Sequence, residues 1–94
     1  MEKSIFVFTG IVIREDRGYS SLCLDLDIAS QGETIKEAKD NLMEAVTLYI
    51  ETAIEGNLPL LRPVPIENNP LNTRPNDIVD TFKLNIDLQV RVYA

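Results

Sequence analysis

The sequence predicts an α+β fold, a two-layer β-β-β-α-β arrangement with one main helix on one face of a four-stranded sheet ordered 3-2-1-4. Three observations predict it. An apolar, β-branched run opens the chain, and a second, alternating run follows a turn signal. A sharply bounded amphipathic helix then precedes a closing segment of strict alternation. The 94 residues fit a single domain, 1–94. Its core has little margin, because a chain of this size removes only about 60–70% of its unfolded surface from water.

Residues 5–14 are the first strand: Ile, Val and Phe fall at odd and even positions alike, as in a central strand covered on both faces. Glu15-Asp16-Arg17-Gly18 reads as a hairpin turn. Residues 19–27 alternate as a second strand, with Leu22, Leu24 and Leu26 on one face and Cys23, Asp25 and Asp27 on the other. A bend near Asp27 leads into a short third strand at 28–32.

The helix spans 34–55. Thr34 caps it, and Glu37 three residues later completes a capping box. Ile35, Ala38, Leu42, Ala45, Val46, Tyr49 and Ala53 form one buried stripe, and Gly56 is expected to supply the left-handed residue at its end. All five prolines fall in the connection 56–81, whose 26 residues exceed the roughly 12–15 usual for an unstructured loop. Leu58, Leu60, Leu61, Val64 and Ile66 are apolar enough to pack part of it down, and residues 75–79 suggest a helical turn.

The last strand, 82–93, turns Phe82, Leu84, Ile86, Leu88, Val90 and Val92 inward. Lys83, Asn85, Asp87, Gln89 and Arg91 face water. A right-handed helical crossover would bring this strand beside the first and parallel to it. One helix covers one face only. The other face, carrying either Phe6, Phe8 and Val12 or Ile5, Val7, Ile11 and Ile13, must be covered by the proline-rich connection or by another chain. A homodimer or higher homo-oligomer, using the open face or a sheet edge, is therefore expected.

The net charge of −6 is unevenly placed, with ten acids against three bases between Glu15 and Glu55. Such a field repels phosphate backbones and anionic lipid and attracts a basic partner. Cys23 is the single cysteine, so no internal disulfide forms, which fits a reducing cytoplasm. The opening run is broken by Thr9 and Gly10 and lacks a cleavage site, so it reads as strand rather than signal peptide. No apolar run approaches the ~20 residues of a membrane helix.

Catalytic chemistry finds little footing. With no histidine there is no imidazole base or ligand, and Cys23 has no base to activate it. The glycines form no phosphate-binding pattern. Asp25 and Asp27, with Asp87, could hold a hard cation through oxygen ligands. The strand order is also the partial ribonuclease H one, in which metal carboxylates begin on the first strand, but that strand offers Thr9 and Gly10 and no acid. No enzyme, cofactor or metal is expected.

Tyr19-Ser20-Ser21-Leu22-Cys23-Leu24-Asp25-Leu26-Asp27, followed by Gln31-Gly32-Glu33-Thr34, resembles the HicB family of antitoxins. Members of that family read tyrosine, a few residues, PDLPG, a short gap, and a G-x-T-x-E-E-A-x-x-N helix. Gly32, Thr34, Glu37, Ala38 and Asn41 fall in that pattern, and the match runs from Ile5 to Pro65. In place of PDLPG the chain has Leu24-Asp25-Leu26-Asp27-Ile28, without the prolines and glycine. Many members add a C-terminal DNA-binding module, which the 94 residues do not contain, so direct nucleic-acid binding by this chain is not expected.

The resemblance implies a non-enzymatic antitoxin that neutralises a small basic ribonuclease of the HicA type. Tyr19, Asp25 and Asp27 would touch the toxin, with Gln31 and Glu33 behind them. The alternative is a stand-alone oligomeric HicB-like domain with a structural or small-ligand role and no toxin.

Overall fold

The computed structural model describes residues 2–90, with side chains from 6 to 87. The strands are β1 (Glu2–Arg14), β2 (Tyr19–Cys23), β3 (Ile28–Gly32) and β4 (Ile78–Val90), and the main helix α1 (Ile35–Glu55) lies between β3 and β4. The sheet order is β3-β2-β1-β4, as the sequence predicts. Residues 91–93 of the expected last strand, and the side chains of Ile5, Leu88, Gln89 and Val90, lie outside what is described.

Every pairing in the sheet is antiparallel, including β1 with β4. This corrects the parallel last strand expected from a direct crossover. The reason is the route of the connection. Helix α1 starts beside Tyr19, at the hairpin end of the sheet, and its 21 residues carry the chain about 30 Å towards the opposite end. There the Arg62 amide donates to the Asp25 carbonyl and the Val64 amide to the Leu24 carbonyl, both at 3.0 Å. The chain then climbs back to the hairpin end. A short helix α2 (Pro70–Thr73) and two single 3-10 turns, one over the residues 75–77 read as a helical turn, punctuate the climb. Ile78 finally pairs with Ile13. A strand that begins where β1 ends must run against it.

The same route answers what lies on the second face of the sheet. Phe6, Phe8, Gly10 and Val12 alternate towards the helix, with Ser21 and Cys23 of β2 and Phe82, Leu84 and Ile86 of β4 beside them. Ile11 and Ile13 alternate away from the helix and are nevertheless buried, Ile11 completely. The connection covers them. It is held to Leu24 and Asp25 at one end and to Arg14 and Glu15 at the other, and Pro70 between these anchors is buried. Val7, further down the same face, stays 57% exposed.

Helix α1 packs chiefly on β3 and β2. Its buried residues are Ala38, Leu42, Val46, Ile50 and Ala53. Ile50 is an addition to the expected stripe, whose Ile35, Ala45 and Tyr49 are only half buried. The Thr34 hydroxyl accepts the Glu37 amide at 3.0 Å, and the Glu37 carboxylate accepts the Glu33 amide at 3.1 Å. The reciprocal cap therefore forms, one residue further back than a standard box.

At the other end Gly56 is not left-handed, with φ −87°; Asn57 is, with φ 55°. Bonds from the Leu58 amide to the Ala53 carbonyl and from the Asn57 amide to the Ile54 carbonyl make a Schellman end. Asparagine tolerates this conformation because its short polar side chain adds little steric penalty. No helix among the described residues is long and apolar enough to cross a membrane.

The first turn of α1 approaches the end of β3 closely at Gly32. A Cβ added at Gly32 would lie 2.5 Å from the Ala38 nitrogen and 2.6 Å from the Glu37 Cβ. Gly32→Ala therefore forces the helix off the sheet, and we expect a loss of about 2 kcal/mol or more in chemical denaturation. Gly56→Ala meets nothing nearer than 3.3 Å in ordinary helical backbone and should change stability by less than about 0.5 kcal/mol.

Candidate partner-binding site

The close seating of the helix creates a groove that gathers polar and charged side chains. Tyr19 and Ser20 at the start of β2 pair with Gly32 and Gln31 at the end of β3. The first two turns of α1 stand over that pair of strand ends, and the β1–β2 turn closes the third side. Between them lies a groove of about 790 Å³. Tyr19, Gln31 and Glu33 line it, together with Glu37 and Asn41 from the helix and Arg17 from the turn.

Most of the groove wall is braced. The Asn41 amide donates to the Gln31 carbonyl at 2.7 Å, closing the β3 edge. The Ser21 hydroxyl, buried beneath, donates to the Ala38 carbonyl at 2.8 Å and ties helix to sheet. Gly18 turns the hairpin with φ 77°, where a Cβ would strike the Gly32 carbonyl oxygen at 2.7 Å. Glu15 is fixed from two sides: the Arg74 guanidinium donates to it at 2.9 Å and the Ser20 hydroxyl at 2.8 Å. These bonds, Arg74 first, hold its carboxyl below the usual carboxylate range. Arg74 also donates to the Arg14 carbonyl and to Asp77, so one guanidinium pins the returning connection to the hairpin.

Three of the five residues singled out from the sequence therefore share one groove. The other two do not. β2 ends at Cys23, and Leu24, Asp25, Leu26 and Asp27 form a turn rather than strand. Asp25 and Asp27 thus do not share the strand face expected of them. The Asp25 carboxylate bends back to accept the Thr9 amide at 2.7 Å, while the Leu24 amide donates to the Thr9 carbonyl. Asp25 thereby replaces the strand partner that β1 loses where β2 stops. Asp27 sits exposed at φ 54°, closing the turn with its amide on the Cys23 carbonyl. Leu26, expected beside Leu22 and Leu24, is instead the residue of that trio fully buried beneath the helix, and Cys23 joins it there.

This turn is at the opposite end of β2 from Tyr19, at least ~14 Å away at about 3.4 Å per residue. Asp25, Asp27 and Asp87 are not brought together, and no group of three metal-ligating side chains forms among the described residues. Burial pushes the Cys23 thiol up, away from nucleophilic character. The groove residues that sequence reasoning missed are Glu15, Arg17, Ser20, Gly32, Glu37 and Asn41. Glu37 and Asn41 carried a signal, since both belong to the helix motif and stand four apart on one helical face. Arg17 carried none beyond its place in a turn.

A UPF0150 protein of Synechocystis sp. (ssr1765) is 40% identical over 68 residues, a stretch covering 70% of this chain and 81% of that protein. The chain belongs to the UPF0150 family. No family model matches, and no solved structure matches.

Two predictions separate the parts of this UPF0150 chain. Asp25→Ala removes the acceptor of the Thr9 amide and should lower stability by about 1–3 kcal/mol, whereas Asp25→Asn keeps an acceptor and should lose far less; urea titration checks both. Glu15 has a depressed carboxyl, so its contribution is fully present above the ordinary value of 4.5 and disappears as pH falls through the lower folded value. Glu15→Gln should be less stable than the parent at pH 7, and the difference should close in acid, as thermal melts from pH 7 to pH 2 would show.

Proposed function

We propose that this UPF0150 chain is a HicB-like antitoxin, a non-enzymatic cytoplasmic protein that binds and neutralises a small basic ribonuclease of the HicA type. The observation that carries the reading is the convergence of Tyr19, Gln31 and Glu33 on one braced groove, beside Glu37. An aromatic body offers contact area at small entropic loss, and the carboxylates offer charge to a lysine or arginine. The acid-rich helix behind the groove steers a cationic partner over longer range, which raises the rate of encounter more than the final affinity. The groove needs no large rearrangement to receive a side chain, because its walls are already hydrogen-bonded.

Asp25 has a structural place in this reading, and the turn that replaces PDLPG is a brace for β1. The same fact favours the alternative, a stand-alone oligomeric domain with a structural or small-ligand role and no toxin, since a recognition turn has here been given to backbone support. Binding measurements distinguish them. The chain should form a tight complex with a basic ribonuclease of the HicA type, and co-expression should restore growth to cells that produce that ribonuclease. Tyr19→Ala and Glu33→Lys should each weaken binding about 10-fold or more, and Asp25→Asn should leave it within about 2-fold. Folded, soluble protein that neither binds nor protects would overturn the antitoxin reading in favour of the stand-alone domain.

A further inference from the structure

Away from the groove, exposed apolar surface gathers on one ordered stretch of the connection. Leu58, Leu61 and Ile66 are 55%, 66% and 78% exposed, while Leu60 between them packs against the core. A single exposed leucine is ordinary, but three such side chains between residues 58 and 66 mark a contact surface. The stretch is held rather than loose. The Leu58 amide donates to the Ala53 carbonyl at 2.8 Å, and the Tyr49 hydroxyl to the Pro59 carbonyl at 3.0 Å. The Arg62 guanidinium carbon lies 5.8 Å from the centre of the Tyr49 ring. With the Arg62 and Val64 amides bonded to Asp25 and Leu24, the strip is ordered before any partner arrives, which lowers the entropic cost of docking.

The backbone of the strip decides what kind of partner it fits. In extended chain the polar groups of successive residues point to opposite sides. Arg62 and Val64 turn theirs to the Leu24–Asp25 turn, which leaves Leu61, Pro63 and Pro65 on the outer side. Two of these three have no N–H to give. Pro65 lies at φ −57° and ψ 145°, in the polyproline II region, and its carbonyl is taken by the Asn68 amide. The Leu61 and Pro63 carbonyls accept nothing among the described residues. An added β-strand would find a single donor here, so strand pairing does not suit this edge.

A groove walled by tryptophan and tyrosine does suit it. Aromatic rings take prolyl and leucyl side chains, and indole or phenol donors answer the two carbonyls. Arg62 is the one charge from Gly56 to Ile66, and it has no carboxylate partner among the described residues. The complementary groove is therefore acidic beside its rings. We propose that the strip from Leu61 to Ile66 is a docking site for a partner protein whose acidic, aromatic-lined groove reads extended, proline-containing chain. The strip stands beside the Leu24–Asp25 turn, at the opposite end of β2 from Tyr19. It is thus independent of the antitoxin reading and leaves the groove open.

N-acetyl-tryptophan tests this chemistry on the full chain, because one small molecule carries an aromatic ring, an indole donor and a carboxylate. Titrated into 15N-labelled protein, it should shift the amides of residues 60–62, 64 and 66 saturably. The shifts should exceed those from N-acetyl-leucine at equal concentration by about 5-fold. The cation tryptophanamide should act more weakly than N-acetyl-tryptophan, and Arg62→Gln should remove that difference. The double variant Leu61→Ser, Ile66→Ser changes two exposed side chains, so it should fold as the parent does and lose most of the response. No shifts at the strip, shifts scattered over the whole surface, or equal shifts from N-acetyl-leucine would overturn the proposal. So would a parent oligomer that falls to a 10.6 kDa species in the double variant, since that result gives the strip to a second copy.

Discussion

The fold turns on how low the helix sits on the sheet. Gly32 lets the Ala38 and Glu37 backbone approach to a distance that no side chain would allow, and Ser21 fastens the contact from beneath. Everything near the groove follows from that seating. Thr34 and Glu37 cap the helix where β3 releases it, Asn41 reaches the Gln31 carbonyl, and Tyr19 is left beside the first helical turns rather than under them. A helix raised by one methyl group would open the groove and unmake the cap in the same movement.

A second constraint is the supply of cover for a central strand that is apolar on both faces. One helix shields Phe8 and Val12; the connection shields Ile11 and Ile13. The connection can do so because it is anchored at both ends, by backbone bonds beside Asp25 and by Arg74 at the hairpin. Its length is therefore structural, and so are two of the acids. Glu15 is the counter-ion of the upper anchor, and Asp25 stands in for a missing strand partner. Glu33 and Glu37 at the groove stay exposed, as do Asp27 and most carboxylates of α1.

Much of this was legible in advance, for identifiable reasons. Strand order follows from turn lengths and from the two-sided apolar pattern of β1, both local properties of the sequence. The helix start is written in Thr34 and Glu37. What could not be read is set by distant contacts. The direction of β4 depends on where the connection is tied, and neither its length nor its prolines encode that. Asp25 and Asp27 alternate with leucines as a strand would, yet the strand stops at Cys23 because the Thr9 amide draws the Asp25 carboxylate inward. The left-handed residue moved from Gly56 to Asn57 because the helix keeps its geometry through the glycine. For the groove, Tyr19, Gln31 and Glu33 were found through sequence resemblance, whereas Arg17 joins them only in three dimensions.

The central proposal is that recognition belongs to the groove, while the Asp25 turn supports β1. Amide hydrogen exchange on the chain alone and mixed with a basic ribonuclease of the HicA type, the proposed partner, tests it most directly. The account predicts new protection at residues 17–20 and 31–37, with residues 24–27 unchanged. Protection confined to 24–27, with the groove exchanging as in the free chain, would contradict it.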